Sequence, residues 1–201
     1  MRKSIYLFAL AAISFTACNS NAKKENLQED NQPHDHSQME STAGNADEPS
    51  QAAVGKQESV SAILNHYLTM KDALVEDDSE KAASSGKLLF DAFAEFDASA
   101  VSDPQQELGE IIEDAKMHAE HINENAGNIV HQREHFEILS IDIKDLLAIA
   151  GTDRVLYQQY CPMYNDNKGG MWLSASNEVK NPFFGSKMLG CGEVQETIPV
   201  E

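Results

Sequence analysis

Apolar residues recur at helical spacing through most of the chain, and the breaks in that spacing mark four segments. In the first, Val60, Ile63, Leu64, Tyr67, Leu68, Leu74 and Val75 share a face. The second opens near Asp78-Ser79 and carries Ala82, Leu89, Phe90, Phe93 and Phe96. The third has Asp103 as its cap, Pro104 in the first turn and Gln106 three residues after the cap. Its stripe is Leu108, Ile111, Ile112, Ala115, Ala119 and Ile122, and an Asn-Ala-Gly-Asn turn at 125–128 ends it. The fourth carries Ile129, Phe136, Leu139, Ile143, Leu146 and Leu147, and stops at Gly151. Short connections make consecutive helices antiparallel, so the pattern predicts a mainly α protein built on a four-helix up-down bundle.

Beyond Gly151 the period changes. Val155-Leu156-Tyr157 and Met171-Trp172-Leu173 read as short strands around the polar turn at 165–170. This predicts a small C-terminal β-hairpin and loop element packed on the bundle.

The front of the chain has a different character. Arg2 and Lys3 precede an apolar run over 5–15 that is too short to span a membrane. Phe15-Thr16-Ala17-Cys18 then resembles a bacterial lipobox, in which a bulky apolar residue and small residues precede the cysteine. Residues 1–18 are accordingly expected to be a lipoprotein signal, with Cys18 the lipid-modified first residue of the mature chain. Residues 19–57 are nearly free of large apolar side chains and are expected to form a disordered acidic tether. The folded domain is expected over 58–198.

A formal net charge of −18 argues against nucleic acid and anionic membrane surfaces as partners. Membrane contact is then expected through the lipid anchor alone.

Seven histidines fall into three groups. His34 and His36 lie in the tether, where capturing an ion would require ordering flexible chain. His66 stands alone on the first helix and reads as a helix-surface or core-edge residue. His118 and His121 lie three apart on the third helix, and His131 and His135 four apart on the fourth, so each pair shares a face. Folding at the 125–128 turn brings the two pairs to matching heights. Neutral imidazoles placed this way suit Zn or Cu(II). The alternative is a set of interfacial histidines bonded to Glu120, Glu124 or Glu134.

With Cys18 used for lipid, two cysteines remain, each close to a methionine: Cys161-Pro162-Met163 and Met188-Leu189-Gly190-Cys191. Thiolate and thioether donors together select a soft ion such as Cu(I). The spacing allows equally a Cys161–Cys191 disulfide, with the methionines filling the core.

Resemblance adds to this reading. Tyr157-Gln158-Gln159-Tyr160-Cys161-Pro162-Met163, Gly170-Met171-Trp172-Leu173-Ser174, Asn181-Pro182-Phe183-Phe184-Gly185 and Met188-Leu189-Gly190-Cys191-Gly192 resemble a bacterial domain of unknown function. Gln132-Arg133-Glu134-His135-Phe136 also looks like that family. Such domains occur as envelope lipoproteins and as C-terminal extensions of copper and silver efflux adaptor proteins. The Cys-Pro-Met segment is similar to the short heavy-metal-binding modules of copper transporters. In those modules the second element is Cys-Pro-x-Cys-Gly; here Met188 replaces its first cysteine, a change that favours Cu(I) over Zn.

The resemblance implies heavy-metal handling in the envelope, with an efflux adaptor as the expected partner. Cys161 and Cys191 are the expected thiolate ligands, Met163 and Met188 the softer donors, and His135 the expected helical contributor. A disulfide-stapled structural or partner-binding module is the alternative. No motif places an oxyanion hole or substrate pocket around Cys161, so an enzyme is not expected.

Overall fold

The computed structural model describes residues 51–101 and 105–200. The expected lipobox with Cys18, the tether histidines His34 and His36, and the expected helix-start residues Asp103 and Pro104 lie outside the described residues. Four long helices follow in order: α1 Gln51–Val75, α2 Ser79–Glu95, α3 Gln105–Glu124 and α4 Ile129–Ala150. Consecutive helices pack on one another. The four-helix bundle read from the periodicity is the architecture found.

The ends of these helices have local causes. Asp78 caps α2, its carboxylate accepting the Lys81 amide N–H at 2.9 Å. Asn128 caps α4 through its side-chain oxygen. Gly151 ends α4 at φ +79°, donating its N–H to the Leu147 carbonyl at 2.9 Å. The start of α1 differs from expectation. It reaches back to Gln51, inside the stretch assigned to the tether up to residue 57. Ala52, Ala53, Lys56, Gln57 and Glu58 are strong helix formers, so polar composition there marks a solvated helix rather than a linker.

The bundle buries Tyr67, Leu74, Leu89, Phe93, Leu108, Ile122, Phe136 and Leu139. Trp172 of the C-terminal element is fully buried against the same core. That element is a three-stranded antiparallel sheet, in place of the expected hairpin: β1 Leu156–Cys161, β2 Gly170–Ser174 and β3 Glu193–Ile198, in the order β2-β1-β3. Residues 193–197 of β3 are exposed and carry no apolar alternation, which is why periodicity does not announce the strand. Its charged side chains suit an edge position.

Two polar links seat this sheet on the helices. Tyr67 donates its hydroxyl hydrogen to Ser140 Oγ at 2.8 Å and accepts the Leu173 N–H at 3.0 Å, which joins α1, α4 and β2 at one buried atom. Burial holds the Tyr67 phenol far above its ordinary pKa, so it stays a donor. Arg133 of α4 is buried and donates to the Pro182 carbonyl at 2.7 Å, the Leu74 carbonyl at 2.8 Å and the Asp77 carboxylate at 2.6 Å. Asp77 in turn accepts the Ser186 hydroxyl at 2.5 Å. Gly185, at φ +54°, lies so close that a Cβ there would stand 2.2 Å from Asp77 Oδ1. The segment that leads to Met188 and Cys191 is thereby clamped to the end of α1.

Candidate metal centre

The sulfur residues are positioned by the sheet. Cys161 ends β1 opposite Gly170 and is fully buried. Tyr160 pairs with Glu193 of β3, so the strand pairing brings Cys191, two residues before that strand, alongside the end of β1. Both cysteines are free thiols, and Cys161 lies close enough to Cys191 to perturb its thiol. Burial, and then the adjacent Cys161, push the Cys191 thiol up to about 11, opposed by the Met163 amide N–H donating to its sulfur. At neutral pH the Cys191 thiol is therefore protonated, and an ion bound through it displaces that proton.

Asn181 fixes the approach of Cys191. It is fully buried and donates its side-chain N–H to the Cys191 carbonyl at 2.7 Å. Its side-chain oxygen accepts the amides of Phe183 at 2.8 Å and Phe184 at 3.1 Å, and its own amide donates to the Leu189 carbonyl at 2.8 Å. The two methionines reach Cys191 through backbone groups: the Met163 N–H as above, and the Met188 carbonyl, which accepts the Cys191 N–H at 3.0 Å. Met163 is half-exposed and lines a groove of about 700 Å³ with Val130, Arg133, Glu134, Tyr164 and Phe184.

The histidine pairs form a second cluster, on the seam between α3 and α4. His118 is buried, while His121, His131 and His135 are half-buried. Nδ1 of His118 stands 2.9 Å from Nδ1 of His135, and Nε2 of His135 stands 3.2 Å from Nε2 of His131. His131 donates through Nδ1 to Glu134 at 3.0 Å, so one of the three carboxylates considered as structural partners is engaged. The His121 ring stacks on His135 at 4.5 Å. Burial, then the neighbouring imidazoles His121, His118 and His131, hold His135 down at about 4. Burial also lowers His118. The His118 and His135 rings are therefore neutral near pH 7, which is the ligating form.

The matching heights expected from the 125–128 turn are thus realised. His135, expected to contribute to the sulfur site, is directed instead to the α3–α4 seam, because the face of α4 that carries it packs on α3. His66 is a half-buried residue on α1. Sequence reasoning passed over Arg133 and Asn181 as positioning residues. Both lay inside segments quoted for the resemblance, and a buried arginine or asparagine signals itself only through its partners.

Residues 63–154 match the family model described as Protein of unknown function (DUF3347). No curated protein and no solved structure matches the chain. The matched span runs from α1 to just short of β1 and includes all four clustered histidines, while Cys161 and Cys191 lie beyond it. Over its helical part the chain is therefore similar to a domain of unknown function.

Proposed function

We infer that this protein is a lipid-anchored envelope protein that binds a soft heavy metal, Cu(I) above others, for buffering or for delivery to an efflux system. The observation that carries the reading is the contact between the Cys161 and Cys191 thiols, brought together from opposite ends of a thirty-residue excursion. Two thiolates supply the charge that neutralises a monovalent ion and most of the affinity, and thioethers add preference for a soft one. Met163 and Met188 flank the pair closely enough in sequence to serve as those donors. Burial of Cys161 limits the access of water and oxidants to the bound ion.

Two further parts of the reading rest on sequence. The lipobox motif Phe15-Thr16-Ala17-Cys18 supports the anchor, and the resemblance of the Cys-Pro-Met segment to metal modules supports an efflux adaptor as recipient. The deciding experiment is an anaerobic Cu(I) titration of the reduced protein against a chromogenic chelator, followed by X-ray absorption of the loaded form. Sulfur neighbours are expected. A copper shell of nitrogen and oxygen alone, or no free thiols in freshly isolated protein, rejects the site in favour of a disulfide staple.

A further inference from the structure

The line of rings from His118 to Glu134 can be protonated in two ways. In the first, His118 donates through Nδ1 to His135, His135 donates through Nε2 to His131, and His131 donates to Glu134. Every ring is then neutral and every contact is a hydrogen bond. In the second, His135 carries its proton on Nδ1 and donates to His118. The Nε2 lone pairs of His131 and His135 then face one another across 3.2 Å.

That second state calls for a cation between them, and the spacing fits one. Imidazole nitrogens bound at 2.0–2.1 Å to a tetrahedral ion stand roughly 3.3–3.4 Å apart. The outer nitrogens are already held as ligating histidines require: Nδ1 of His131 by the Glu134 carboxylate, and Nδ1 of His135 by His118. A third donor is at hand, because ligand atoms of His121, His131 and His135 all lie within 4.8 Å of one another. Conversion between the two states needs a tautomer shift in His135 and His118 and no movement of the helices.

We propose that His121, His131 and His135 form a second metal site for a borderline divalent ion such as Zn(II) or Cu(II), with His118 and Glu134 orienting the ligands. The site stands independently of the sulfur pair and takes a different class of ion, since three neutral imidazoles favour Zn or Cu(II) over a soft monovalent ion. His121 and His131 are half-exposed, so the fourth coordination position faces solvent and accepts water or an exchangeable ligand. His118 is a positioning residue. It fixes the tautomer of His135 and touches no ion itself.

The test uses the full chain carrying His34→Ala and His36→Ala, which removes the imidazoles ahead of the described residues. Anaerobic Co(II) titration is expected to give one equivalent with visible ligand-field bands and no thiolate charge-transfer band, displaced by one equivalent of Zn(II). His131→Gln and His135→Gln should each lose that equivalent. His118→Gln should keep the stoichiometry while weakening binding on the order of 10- to 100-fold, and His66→Gln should change nothing. If His135→Gln fails to fold by circular dichroism, the half-exposed positions His121→Gln and His131→Gln carry the test. No ligand-field band in the parent, meaning an imidazole hydrogen-bond chain only, overturns the proposal. So does a band that survives His131→Gln and His121→Gln, or one that shows sulfur charge transfer and disappears with Cys161→Ser.

Discussion

Asn181 donates its side-chain N–H to the Cys191 carbonyl at 2.7 Å while its side-chain oxygen accepts the amides of Phe183 and Phe184. One buried amide therefore shapes the loop that presents the second thiol. Asn181→Ala leaves backbone groups of that loop without partners, at about 1–3 kcal/mol for each group that water fails to reach. The expected result is a fall of several degrees in the thermal midpoint, with weaker Cu(I) binding although every sulfur remains. Full copper affinity in a folded Asn181→Ala protein would remove Asn181 from the positioning of the site.

The thiols and thioethers should separate by magnitude. Cys161→Ser and Cys191→Ser are each expected to weaken Cu(I) binding severely, and Met163→Leu and Met188→Leu only moderately, because thiolates carry the charge and thioethers do not. Copper must displace thiol protons, so affinity should fall as pH falls. Chelator competition at several pH values measures both, and a pH-independent affinity would exclude thiolate ligation.

The Asp77 clamp predicts an acid limb. Hydrogen bonds from Ser186 and then Arg133 hold its carboxyl down at about 2, against an ordinary 3.8. Between those values the unfolded chain takes up the proton while the folded one resists it. The stability contributed by Asp77 is therefore present above about pH 4 and lost as pH falls towards 2. Denaturant melts from pH 5 to pH 2 should show a shallower acid loss in Asp77→Asn than in the parent. Parallel curves would show that the contact contributes nothing to folding.

Asp142 behaves in the opposite sense. Burial, then the like charges of Asp114 and Asp145, raise its carboxyl to about 6, and its Oδ2 is buried without a partner. The folded state now binds the proton first, so this group destabilises the fold above pH 6, and the penalty disappears as pH falls towards 4. Asp142→Asn should stabilise the protein at pH 8 by about 1–2 kcal/mol, and by nothing near pH 4. Equal gains at both pH values would mean that packing, not charge, governs the position.

The bundle was legible because helical periodicity and caps are local signals. Asp78, Asn128 and Gly151 end or begin their helices by contacts within a few residues of themselves. The histidine pairing was legible for the same reason: two i,i+3 and i,i+4 faces joined by a four-residue turn leave little freedom in register. β3 was not legible, because an exposed edge strand needs no apolar alternation, and α1 extended further than its polar composition indicated.

By itself, then, the sequence determined which helices form, which way consecutive ones run, and that four imidazoles meet across the α3–α4 turn. Only the tertiary structure decided how the rings hydrogen-bond, since ring orientation depends on packing from both helices at once. It also decided that Cys161 and Cys191 touch. That contact rests on an edge strand paired to β1 and on a loop that Asn181 shapes from within and Arg133, far away in the chain, holds to the helices, and no local pattern encodes the distant partners.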